Sequence, residues 1–368
     1  MRQYIVLFIL TISICSSCRK VYNPDINADQ NAIVVEGMIT DEVRPYNVRL
    51  TKAVPYDSSG SGGYVNHAKV LIFDDCNNQY RLSEGGSGNY TTDPTELIGK
   101  PGVSYTLHIE TEDGNIYESS PQLMLPNDFK DSVYAEYITH ETLIEDAYGQ
   151  SMKVSTAGVD ILTDIKNNAD SLPRFKFKYS LTTEYIYTIP LTFLTTLYFY
   201  CWNISNPNDL INLTEEKYSI ANSNIQRHII GFVPTIYITT TMYKDSVINA
   251  PIVNQLIKIY QYRINHEAYQ YFKNINSLLS AQGKIFDPIV FQFQGNLTCK
   301  TDSKKLVLGF FEASSVKTNT YYIRPGANKV NRTHDFIPPS PSGCSSSAAV
   351  ADSTSEPVSP VPPDFWIY

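Results

Sequence analysis

The sequence is poor in the constellations that carry catalysis. Its six histidines, His67, His108, His140, His228, His266 and His334, include no two at metal-ligand spacing and no HExxH. No Walker loop and no GxGxxG occurs, and Gly85-Gly86-Ser87-Gly88 fails as a GxSxG elbow because Asn89 fills the fifth place. The expectation is a protein without enzymatic activity, cofactor or catalytic metal. Charge is also sparse: charged residues make up 18% of the chain and the net charge is −8. With no basic stripe carrying interleaved aromatics, nucleic acid is not an expected partner. Long apolar runs are missing too. The longest at the N-terminus, Ile5 to Ile14, is too short to span a bilayer as a permanent helix.

What is present begins at that run. A basic start at Arg2, a short apolar stretch and small residues before a cysteine read as a secretory signal over residues 1–17. The order Ser16-Ser17-Cys18 resembles a bacterial lipobox, in which the cysteine is acylated and becomes the mature N-terminus. Cys18 suits this better than Cys15, which follows the bulky Ile14; the place three before Cys18, usually aliphatic, is Cys15 itself. Several acyl chains hold a protein firmly where one holds it weakly. Residues 18–30 would then be a lipidated tether and the body would sit on the outer membrane. Arg19-Lys20 is unlike the acidic export tag of some surface lipoproteins, yet the cell surface is preferred here over the periplasmic face. Cys76, Cys201, Cys299 and Cys344 remain, none at CxxC spacing, and an exported chain permits them to form disulfides. The three pairings stay open.

From residue 31 to 125 the chain reads as short strands between Gly/Ser-rich turns. Tyr105, Leu107 and Ile109 repeat at period two, as do Val48 and Leu50, and Val70 and Ile72. About seven such strands predict an immunoglobulin-like β-sandwich, although the Cys…Trp…Cys signature is absent. Residues 126–337 predict a second β-rich domain. There Phe175, Phe177, Tyr179 and Leu181 alternate with Arg174, Lys176, Lys178 and Ser180 as an amphipathic strand. The apolar stretch 186–200 contains Pro190 and four Thr, which favours paired or buried strands over a spanning helix. One helix is expected at about 265–282. Ala268, Tyr271, Phe272, Ile275, Leu278 and Leu279 share a face, Asn265 caps the start and Gly283 the end. Further strands are expected at Ile289–Phe293 and Leu306–Phe311. The Ser/Pro-rich tail 338–368 should lack a packed core of its own, with Cys344, Phe365 and Trp366 able to tie it back. The fold class is therefore mainly β.

Two acidic places offer groups for chemistry. Asp74 and Asp75 with Asn77 and Asn78 offer hard oxygens for a cation, but a solvated turn is the stronger reading. Glu36 is read as a face-out strand residue rather than an acid catalyst. Asp131-Ser132-Val133, Asp170-Ser171-Leu172 and Asp245-Ser246-Val247 resemble the O-glycosylation acceptor of exported Bacteroidota proteins. The 27 tyrosines suit strands first and binding surfaces second.

A set of stretches, in order, resembles a lipoprotein family of Bacteroidota called domain of unknown function 4249. They are AIVVEGMIT (32–40), NVRLTKAVPY (47–56), HAKVLIFDD (67–75), GNYTT (88–92), GVSYTLHIETEDGNIYES (102–119), KYSLTTEY (178–185), INHEAYQYFKNI (264–275), GKIFDPIVFQFQGNLT (283–298) and LVLGFFEASS (306–315), with Cys344 and Pro363-Asp364-Phe365-Trp366 closing the series. The resemblance implies an outer-membrane lipoprotein with an N-terminal β-sandwich whose partner is a TonB-dependent transporter barrel. It implies no catalytic residues. The expected function is an accessory or ligand-binding role in nutrient uptake, ligand unspecified; the alternative is a structural or adhesion module of the envelope.

Overall fold

The computed structural model describes residues 32–54, 62–145, 150–166, 172–190, 196–207, 211–215, 224–234, 239–243, 246–250, 252–281 and 295–323. Cys18, the tether, Gly283, the strand expected at 289–293 and the C-terminal tail lie outside these residues. The chain is mainly β, as expected.

The first nine strands are β1 (Ile33–Ile39), β2 (Asn47–Lys52), β3 (Lys69–Asp74), β4 (Gln79–Arg81), β5 (Ser83–Gly86), β6 (Asn89–Thr91), β7 (Ser104–Glu110), β8 (Ile116–Ser119) and β9 (Gln122–Leu123). The next nine are β10 (Lys130–Glu145), β11 (Ser151–Lys166), β12 (Phe175–Pro190), β13 (Thr196–Ser205), β14 (Asn212–Leu213), β15 (Ile225–Pro234), β16 (Thr239–Tyr243), β17 (Ser246–Ala250) and β18 (Ile252–Arg263). Helix α1 (His266–Ala281) follows, then β19 (Leu297–Cys299), β20 (Val307–Ala313) and β21 (Ser315–Ile323).

Period-two alternation builds the first sandwich. In β7, Tyr105, Leu107 and Ile109 are buried while Thr106, His108 and Glu110 face outward. One sheet has the order β20-β1-β2-β6-β5; the other has β19-β8-β7-β3-β4, with β9 added to β7. Val35, Leu50, Ile72, Leu107 and Phe311 meet between them in one apolar core. The segment 31–125 therefore does not hold the whole sandwich. β20 pairs in parallel with β1, Ile33 opposite Val307, and β19 closes the other sheet against β8. The physical reason is backbone demand: β1 and β8 would otherwise be edges with unpaired N–H and C=O groups. Glycine makes the closure fit. Gly309 has φ +94°, and a Cβ there would stand 1.9 Å from the Val35 carbonyl oxygen. Asn296 clamps the other side, donating to Phe311 O at 2.8 Å and accepting from Phe311 N at 2.9 Å.

The second sandwich faces the sheet β10-β11-β15 against the sheet β13-β12-β18-β21, with β14 added to β12. Its core joins Val159, Ile161, Phe175, Phe177, Ile230, Ile257 and Ile259. The stretch 186–200 does contribute paired strand, Ile186 to Pro190 of β12 against Thr196 to Tyr200 of β13. Among the described residues no helix is long and apolar enough to cross a membrane, which says nothing about strands.

α1 starts where its cap predicts: Asn265 Oδ1 accepts from Ala268 N at 2.8 Å. Its buried face differs from the expected stripe. Tyr269 is buried and donates through its hydroxyl to Thr214 O at 2.9 Å, whereas Leu279 is 46% exposed. The helix packs through its first turns against Met38, Tyr262 and Phe310. The two sandwiches meet here. A single residue, Ser314, separates β20 of one from β21 of the other, and Val316 N donates to Asp41 Oδ1 at 2.8 Å across the boundary.

Candidate functional site

The amphipathic reading of residues 174–181 needs one correction, and it locates the site. Phe175 and Phe177 are buried, as expected, but so is Lys176 on the supposedly solvated face. Glu312 of β20 forms an ion pair with it, and the Lys176 ammonium lies 5.1 Å from the Tyr262 ring centre and 4.2 Å from that of Phe272. α1 and β20 cover this end of the strand, so the lysine is enclosed where the two sandwiches join. Burial pulls its pKa down, opposed by the Glu312 charge. Ser314 Oγ donates to the other Glu312 oxygen at 2.6 Å.

Immediately beside this pair the outer face of the second sandwich opens. Register places Lys176 opposite Tyr262, and Lys178 opposite Tyr260. Tyr260 and Tyr262 stack with ring centres 6.5 Å apart and planes at 21°. β14 covers β12 only at Lys176 and Phe177, and β13 begins to cover it only at Leu181, so among the described residues no strand pairs with Lys178 and Tyr179 on that edge. A pocket of about 670 Å³ occupies that gap. Its walls come from Lys178 and Tyr179 of β12, Tyr260 and Tyr262 of β18, Asn206 and Pro207 after β13, the Ile229–Gly231 stretch of β15, and Arg44 from the β1–β2 turn of the first sandwich. That volume is within the range of small-ligand sites, roughly 300–1,000 Å³.

The pocket floor is built by side-chain amides. Asn276 of α1 holds Ile211, accepting from its N–H at 2.9 Å and donating to its carbonyl at 2.6 Å. The next residue, Asn212, donates to the carbonyls of Ile229 and Ile230 at 2.8 and 3.1 Å, where β15 bulges out of register with β11. Since the Asn212 amide nitrogen is donating, its oxygen accepts from His228 Nε2 at 2.6 Å. Burial takes the His228 pKa down to about 4, so the ring is neutral at physiological pH. Gly231 leaves room for Tyr179, whose ring atoms would lie 2.5 Å from a Cβ at that position. On the opposite wall, Arg44 Nε is buried and makes no hydrogen bond; the Glu42 carboxylate stands 3.7 Å away. Burial raises the Tyr262 pKa and the nearby Arg44 charge lowers it.

The residues singled out from sequence lie elsewhere. Cys76 is an exposed free thiol and Cys299 a buried one, so neither is in a disulfide; Cys201 is disulfide-bonded. Cys18 and Cys344 lie outside the described residues. Cys76 sits in the β3–β4 turn, whose geometry consumes both neighbouring carboxylates. Asp74 accepts from the backbone N–H of Cys76 and Asn78 at 3.0 and 2.8 Å, and Asp75 from Ser104 N at 3.0 Å. Glu36 faces outward on β1, as expected. Ser132 is exposed, while Asp131 beside it is paired with Lys317 and accepts from Asn319 at 3.0 Å. A second cavity, of about 530 Å³, lies at the end of the first sandwich between Tyr64, His67, Asp113 and Tyr117. Lys52, Glu112 and Asp113 give its lining charges of both signs. None of the pocket residues was singled out as a site from the sequence. The tyrosine abundance was the one signal, and it does not say which tyrosines converge.

The chain belongs to the family described as Domain of unknown function (DUF4249), whose family model matches residues 19–320. No curated protein and no solved structure matches it.

Proposed function

We propose that this protein is a lipid-anchored, non-enzymatic binding protein of the outer membrane that works beside a TonB-dependent transporter barrel in nutrient uptake, holding its ligand in the junction pocket. The observation that carries the binding role is the tyrosine-walled pocket at the meeting of two sandwiches, with its floor fixed by Asn212 and Asn276 rather than left to mobile loops. The titratable groups around it serve structure: Lys176 is paired with Glu312, and His228 is hydrogen-bonded to Asn212.

A protein partner is supported by the β10–β11 hairpin. Among the described residues β15 supports β11 only as far as Gly158, yet the pairing of β10 with β11 runs on to Glu145 and Ser151. Leu143 and Met152 are 72% and 52% exposed on this ribbon, and Tyr137 at its base is 68% exposed. A two-stranded ribbon alone is marginal in water and offers unpaired edges. The anchor rests on Cys18 in its lipobox-like setting. Cross-linking and pull-down from native outer membranes through a C-terminal tag should recover a TonB-dependent barrel in near-stoichiometric amount, with a Leu143→Asp variant recovering less. Recovery of the lipoprotein alone sinks the transport reading and leaves an envelope structural or adhesion module, for which the same ribbon would serve.

A further inference from the structure

We infer that the junction pocket takes an acidic carbohydrate, a short oligosaccharide bearing carboxylate or sulfate groups; this deepens the binding role proposed above and rests on it. Three features of the pocket wall carry the inference. The first is charge. Among the described residues Arg44 and Lys178 line the pocket and no Asp or Glu does, the Glu42 carboxylate that stands 3.7 Å from Arg44 Nε lying outside the lining, in a chain whose net charge is −8. A cationic recess on an acidic protein is a local choice that attracts an anion while the remaining surface repels it. Arg44 Nε is buried and makes no hydrogen bond, meeting Glu42 only at an ion-pair distance of 3.7 Å, so its donor is open to a closer oxygen at that wall.

The second feature is shape. Tyr179, Tyr260 and Tyr262 border the pocket, and the last two stack at 21°. Tyr262 is 5% exposed and stands against Lys176, so Tyr260, the partly exposed ring of the pair, is the one whose flank meets the apolar face of a sugar ring. The third is the polarity of the lining. It includes three tyrosines and Asn206, whose hydroxyl and amide groups can donate and accept and so suit a ring substituted with hydroxyls better than a bare aromatic acid. A volume of about 670 Å³ accommodates more than one sugar ring.

Calorimetric titration of the full mature chain tests this, with trigalacturonate and a sulfated chondroitin disaccharide as acidic probes, maltotriose as the neutral one and sodium sulfate as the bare anion. At least one acidic probe should bind, at least tenfold more tightly than maltotriose or sulfate, and its affinity should fall with salt. Lys178→Gln and Arg44→Gln should each weaken it about tenfold or more. The Lys178 side chain is exposed, so its variant carries the test alone if Arg44→Gln lowers the melting temperature. Failure of both acidic probes, equal binding of maltotriose, or full affinity in Lys178→Gln would overturn the inference. A barrel recovered in the pull-down with no acidic glycan bound counts against this inference alone; glycan binding with no barrel counts only against the transport partnership.

Discussion

The two sandwiches are built on different terms. The first packs its apolar set, from Val35 to Phe311, beside a few buried neutral polar groups, Thr40, Gln122 and Asn296 among them, and makes its tight fits with glycine and backbone. The second and its junction bury polar groups: Lys176, Glu184, Gln255, Gln261, Arg263 and Asp160 are all 5% exposed or less. Arg263 is enclosed by the rings of Phe129 and Phe175 at 4.9 and 5.3 Å and donates to the carbonyls of Arg174 and Leu172. Burial takes its pKa down to about 10, with the Arg174 charge acting in the same direction. An apolar core tolerates exchange of one hydrophobe for another of similar volume. A polar one does not, because a buried group that loses its partner retains its desolvation cost. The pocket lies in the polar region, where positions are held by specific partners.

The sharpest way to break that contrast is to cut the Lys176–Glu312 pair. Lys176→Met alone, or Glu312→Leu alone, should destabilise by roughly 3–5 kcal/mol, since each leaves an uncompensated buried group. Replacing both, as Lys176→Met with Glu312→Leu, should recover much of the loss. Denaturant unfolding of the four proteins gives the coupling directly. If the losses simply add, the pair is not a unit and the polar junction is no more specific than the apolar core.

On the apolar side the corresponding test is Gly309→Ala. It imposes φ +94° on a residue with a Cβ and drives that Cβ toward the Val35 carbonyl. Strain and overpacking together should cost roughly 2–4 kcal/mol, read from the same unfolding curves. A loss below about 1 kcal/mol would mean that β20 does not lie tightly on β1 and that the first sandwich can do without its last strand.

How much of this was legible follows the same division. Period-two alternation was enough for β7, because its burial is decided by neighbours on one face. Nothing local announces that residue 307 pairs with residue 33; the parallel closure by β20 is a long-range event with no turn to signal it. In β12 the alternation correctly placed Phe175 and Phe177 inside, yet Lys176 has the same pattern as a solvated lysine, and only Glu312, far along the chain, changes its environment. The helix start was readable from Asn265, whereas Tyr269 inside and Leu279 outside depend on where the partner surfaces end. The pocket was the least legible feature, since residues 44, 178, 206 and 260 converge only after both sandwiches form.

The smallest effect sharpens the contrast through pH. His228 has its pKa lowered from 6.5 to about 4 by burial. Above pH 6.5 the ring is neutral in both folded and unfolded chains, so it contributes nothing to the pH dependence of stability. As pH falls from 6.5 toward 4, the unfolded chain binds a proton that the native ring refuses, and native stability drops. The drop saturates below about 4 at no more than roughly 3 kcal/mol, for a shift of that size. His228→Gln keeps a side-chain amide to donate to Asn212 and removes the titration. Its stability should therefore lie within about 1 kcal/mol of the parent at pH 7, while the parent alone loses stability in this acid window. Urea midpoints at pH 7, 5.5 and 4.5 separate the two slopes. Parallel slopes would show that the ring protonates freely in the native state, and that the Asn212–His228 contact under the pocket is open to water rather than part of the polar core.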